Sequence, residues 1–132
     1  MMPAGTFYIG DLCYVLSPEW DEVCGLLFEG NRPVNGEFTL KDGRRFACYT
    51  TMYGDGEYPT STGTYVGVDA GVVGCVLVSD IRDPEADPAK DGIVVTFESP
   101  FYTRSSDGVI HFGDVAVDTS GDEGDDEDYS DE

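Results

Sequence analysis

Basic residues are scarce in this chain: seven Lys and Arg stand against 27 Asp and Glu in 132 residues, a formal net charge of −20. Such a surface repels DNA, RNA and anionic membranes over a Debye length of about 8 Å, which excludes direct nucleic-acid and membrane binding as the expected activity. Histidine is represented by His111 alone, and the four cysteines at 13, 24, 48 and 75 contain no CxxC pair. That spacing offers no zinc site. No apolar run approaches the ~20 residues of a membrane span, and no secretory signal opens the chain. Each cysteine lies among apolar neighbours, as buried free thiols in a reducing compartment would, so the expected localisation is cytoplasmic. The motifs G-x-S-x-G, H-E-x-x-H, D-x-[DN]-x-[DN]-G and the lysine-bearing phosphate loop are all missing.

What is present suits one β-rich domain. The chain is 40% hydrophobic and 12% aromatic, with eight Tyr, seven Phe and a valine-rich second half that favours strands. Eight of the acids lie in the last twelve residues, so most of the acidity belongs to the body. The expected division is an acidic β-rich domain over residues 1–119 and a disordered acidic tail over 120–132, which buries nothing and repels itself. "SPEWDEVCGLLFEG" predicts a helix over 17–29. Ser17 can cap it, Pro18 suits its first position, and Trp20, Val23, Cys24, Leu27 and Phe28 form one apolar stripe ended by Gly30. "KDG" and "SSDG" between strand-like runs predict two hairpins, and 80–92 reads as an exposed loop. The fold class expected is α+β, mostly β: a small barrel or curled antiparallel sheets of about seven or eight strands with one covering helix.

The stretch "MYGDGEYPTSTGTYVGVDAGVVGCVLV" sets aspartates beside glycines inside strand-prone sequence. Strand parity would put Asp11 on a face with Phe7, Ile9 and Cys13, Asp69 on one with Tyr65, Val73 and Cys75, and Asp114 on one with Ile110 and Phe112. A bend at Gly10, Gly67, Gly71 or Gly113 would be needed to turn each carboxylate out. Two readings compete. In one, Asp beside Gly accepts backbone N–H bonds at bends. In the other, Asp11, Asp55 and Asp69 converge on a divalent cation or an acid/base pair, with Asp11, Asp69 and His111 as catalytic candidates. A cysteine among Cys13, Cys48 and Cys75 paired with His111 is the nucleophile variant. Tyr14, Tyr53 and Tyr58, with other tyrosines, are candidates to line a binding groove beside Asp11, Asp55 and Asp69.

The segments "GTFYIGDLCYVL", "YGDGEY" and "VDAGVVG", spread over roughly residues 5–78, resemble a group of small proteins of bacteria, phages and large viruses with GD-x-CY, YGDG-x-Y and VD-x-G-x-x-G motifs. Leu12 stands where that group's pattern has Pro. The group has no established activity. The resemblance implies a shared fold unit, a common site at Asp11, Asp55 and Asp69, and a phage or viral source, hence the host cytoplasm. Together these features lead to the expectation of a non-enzymatic acidic domain that binds a basic protein surface, such as an inhibitor mimicking nucleic-acid charge. The competing expectation is an Asp-dependent enzyme or a small-ligand or cation-binding protein; only that reading calls for a cofactor, a divalent cation.

Overall fold

A computed structural model describes residues 1–30 and 32–120, so the expected acidic tail lies, apart from Ser120, outside the described residues. Five strands form the central antiparallel sheet: β1 (Gly5–Gly10), β4 (Gly36–Thr39), β5 (Arg45–Thr50), β8 (Val72–Leu77) and β9 (Ile93–Phe97), in the order β4-β5-β8-β1-β9. A second layer is built from β10 (Thr103–Ser106), β11 (Val109–Phe112) and β12 (Val115–Asp118), and from the hairpin of β6 (Gly56–Pro59) and β7 (Tyr65–Val68). A bridge between Thr60 and Val117 joins the hairpin to β12. A two-residue ladder, β2 (Phe28–Glu29) with β3 (Arg32–Pro33), completes the strands. The class is therefore α+β and mostly β, with open sheets rather than a closed barrel.

The strands outnumber the seven or eight expected because long strand-like runs fold back on themselves. "VIHFGDVAV" turns at Gly113 (φ 58°) into β11 and β12, and the 64–78 run turns before Gly71 (φ 73°) into β7 and β8. Both glycines adopt left-handed backbone that side-chain-bearing residues avoid. The two expected hairpins form, with Gly43 at φ 97° in one and Asp107 and Gly108 both at positive φ in the other. The second has the backbone signs of a type I′ turn.

The expected helix is shorter than 17–29. A 3-10 turn occupies Ser17–Glu19, α1 spans Trp20–Leu27, and Phe28 is already extended and largely exposed. Ser17 does not cap the helix with its side chain, because the chain enters through that 3-10 turn and the cap position passes to Glu19. Glu19 is itself drawn into an ion pair with the buried Arg44. Val23 and Leu27 carry the buried face, while Trp20 and Cys24 are half-buried. Within the expected loop 80–92 a short helix, α2 (Pro88–Asp91), forms behind Asp87, whose side chain accepts from Lys90 N.

Alternation along the central sheet feeds two cores. Phe7, Ile9, Ala47, Tyr49, Val73 and Cys75 face the second layer, where they meet Tyr58, Val66, Ile110, Phe112 and Val117. Tyr8, Phe46, Cys48 and Val76 face α1 and pack with Leu12, Leu16, Val23 and Leu27. Burying each large side chain stabilises the fold by about 1.5–3 kcal/mol relative to exposure. Gly74 lets strands β5 and β8 and Leu12 close up: a Cβ there would lie 2.2 Å from the Ala47 carbonyl oxygen. Among the described residues no helix is long and apolar enough to cross a membrane.

Candidate functional site

β1 stops at Gly10, and the next residues wind into a 3-10 turn over Leu12–Tyr14 that Asp11 opens. This turn cancels the strand parity expected for Asp11. Its carboxylate is fully buried and receives backbone N–H bonds from three residues. Oδ1 accepts from Cys13 N at 2.9 Å, and Oδ2 accepts from Asp69 N at 2.7 Å and Ala70 N at 2.6 Å. Asp11 thus ties the end of β1 to the β7–β8 bend, where the ladder has no bonds to offer those amides. The Tyr8 hydroxyl donates to the Asp11 carbonyl at 2.7 Å from below.

Asp69 is exposed at that bend, and its Oδ2 accepts from the Tyr14 hydroxyl at 2.8 Å. Asp55 is exposed in the neighbouring loop, with Oδ1 4.0 Å from where a Cβ on Gly71 would sit. The Gly54 carbonyl in this loop accepts from the hydroxyls of Thr51 (2.7 Å) and Tyr58 (2.8 Å). The glycine–aspartate pattern therefore marks two bends held by hydroxyl and carboxylate groups. The Cys13 thiol is pushed well up by burial, by its hydrogen bond to Asp11 and by the charges of Asp11, Asp69 and Asp55. The Tyr14 phenol is raised mainly by donating to Asp69. Burial raises Cys24, Cys48 and Cys75 as well. Thiols held protonated in this way are poor nucleophiles.

His111 belongs to the other layer, on β11 opposite Arg104 and Ala116. Asp114 is exposed at the β11–β12 turn, carried out of the apolar face by Gly113. Among the expected groove tyrosines, Tyr58 is buried with its ring in the core, while Tyr53 is exposed. Both oxygens of Asp11 are occupied by backbone donors. Among the described residues no group of three or more His, Cys, Asp or Glu is placed to hold a metal.

Beside Tyr14 opens a cleft of about 320 Å³ lined by Glu57, Tyr65, Lys90 and Asp91. It adjoins a second cleft of about 540 Å³ that runs along β9 and shares Tyr65, Lys90 and Gly92 with the first. Sequence reasoning passed over Lys90 and Asp91 because 80–92 lacks periodicity, and over Glu57 because the neighbouring Gly-Asp pattern drew the reading to Asp55. The Asp87–Pro88 pair was the available signal, since it starts the helix that carries Lys90 and Asp91. No protein-family model, curated protein or solved structure matches this chain.

Proposed function

We propose that the folded body is an acidic interaction domain that binds a basic protein surface. The observation carrying this reading is how unevenly charge is paired. Arg44 is consumed by Glu19, Asp42 and the Asp80 carbonyl, and Arg45 by Glu37 and the Met1 carbonyl. Arg82 shares Asp42. Asp55, Glu57, Asp69, Asp91, Glu98 and Asp114 have no ion pair among the described residues. A surface of uncompensated carboxylates steers and holds a basic partner. In its most concrete form this is a phage- or virus-encoded protein that occupies the nucleic-acid-binding groove of a host factor by mimicking nucleic-acid charge. Asp-dependent chemistry fits less well, because the most buried carboxylate, Asp11, is committed to backbone amides.

Capture from a cytosolic extract on the immobilised full chain tests the reading. Basic proteins should be retained at low ionic strength and released at several-fold higher salt, and Glu57→Lys with Asp91→Lys should reduce the capture. Retention indifferent to both salt and these charge reversals would overturn it.

A further inference from the structure

The central sheet has two edges, and they are treated differently. β4 carries Glu37, which binds the N-terminal amine and Arg45. β9, "IVVTF", contains no charge and no proline, and among the described residues only β1 pairs with it. Edge strands are ordinarily blunted by such residues or by a cover. Here the outer edge is instead flanked by clefts at both ends. One holds Tyr65 (60% exposed) beside Val94 (43% exposed), and the other, about 400 Å³, runs from Thr96 past Glu98 to Asp114.

We infer that β9 is a strand-addition site: an extended basic segment of a partner protein pairs with its outer edge, next to Tyr65 and Val94. This rests on the interaction reading above and names the surface it uses. Backbone groups of β9 that point away from β1 supply the hydrogen bonds, and alternate apolar side chains of the guest lie against Val94 and the Tyr65 ring. Charge selects the guest. The two clefts on this edge, with the adjoining one beside Tyr14, carry Glu57, Asp91, Glu98 and Asp114 against Lys90 alone. Arginine or lysine at the guest's other positions meets these carboxylates, and an arginine beside Gly92 reaches the exposed face of Tyr65. A second copy of the chain is a poor guest, because two bodies of strongly negative charge repel along the whole contact.

The probe is a fluorescent peptide of about eight residues alternating arginine and valine. A second version carries N-methyl groups on alternate residues, which keeps every charge but removes strand hydrogen bonds. The full chain should bind the first peptide about tenfold or more tightly than the second at equal ionic strength. Amide exchange in residues 93–97 should slow on binding, that in 36–39 should not, and Tyr65→Ser should weaken the complex. Equal, salt-sensitive binding of both peptides overturns the β9 assignment while leaving the interaction reading intact. Absence of binding by either peptide at low salt overturns both. Protection of 93–97 without peptide, in a species that sediments as a dimer, makes a second copy the occupant and overturns the basic-peptide assignment.

Discussion

The Asp11 carboxylate is fully buried yet accepts three backbone N–H bonds, so its charge is solvated by the protein itself. Hydrogen bonds to a charged group contribute about 1.5–3 kcal/mol, and a buried donor left without an acceptor costs about 1–3 kcal/mol. Asparagine at this position has one oxygen for three donors and turns an NH₂ group toward amides. Asp11→Asn should therefore destabilise by about 2–3 kcal/mol in denaturant unfolding. Asp69→Asn should change stability by under about 1 kcal/mol, because only the Tyr14 hydroxyl uses its carboxylate at the surface. Equal costs at the two positions would contradict this assignment. The sequence pointed to both residues through their glycine neighbours, with either aspartate expected to accept backbone N–H bonds at a bend. In the structure Asp69 supplies the backbone amide and Asp11 the acceptor, a long-range contact that no local pattern announces.

At the scale of elements, glycine positions separate tight packing from idle backbone. Gly74 sits where a Cβ would strike the Ala47 carbonyl at 2.2 Å and Leu12 Cδ1 at 2.7 Å. Gly74→Ala should force β5 and β8 apart and cost about 3 kcal/mol. Gly25, in the exposed middle of α1, has nothing within 4 Å, and Gly25→Ala should stabilise by up to about 1 kcal/mol. Thermal melts of the two variants should move in opposite directions. At the β4–β5 hairpin, hydrogen bonds from Arg44 hold the Asp42 carboxyl down to about 2 against an ordinary 3.8. A lowered folded pKa means that the folded state resists protonation. The contribution is whole above about pH 4 and is lost as pH falls toward 2. The stability gap between wild type and Asp42→Asn should close over that window and stay constant from pH 5 to 7. Hairpins and the helix were legible because turn glycines and an apolar stripe are local signals. The helix start, the extra strands and the β9 clefts were not, since each depends on which distant segment lies alongside.

For the whole molecule, the charge imbalance in the composition survives folding, and Arg44, Arg45 and Arg82 are spent on carboxylates of the body itself. Arg44 and Arg45 hold the β4–β5 hairpin to neighbouring segments, leaving the edge near β9 and the β6–β7 hairpin acidic. The acidic residues 121–132 add charge but no aliphatic side chain. Thr119, by contrast, is buried and bonds Gly108 and Met52, so a chain ending at Ser120 keeps every contact described here. The most direct test of the interaction reading is the dissociation constant of the arginine–valine peptide measured from low ionic strength to about 0.5 M, for the full chain and the chain ending at Ser120. Both should bind at low salt and weaken steeply as the Debye length falls from about 30 Å toward a few Å, with the shorter chain keeping most of the affinity. An affinity unchanged by salt, or one that vanishes with residues 121–132, would contradict a binding surface made of the folded body's unpaired carboxylates.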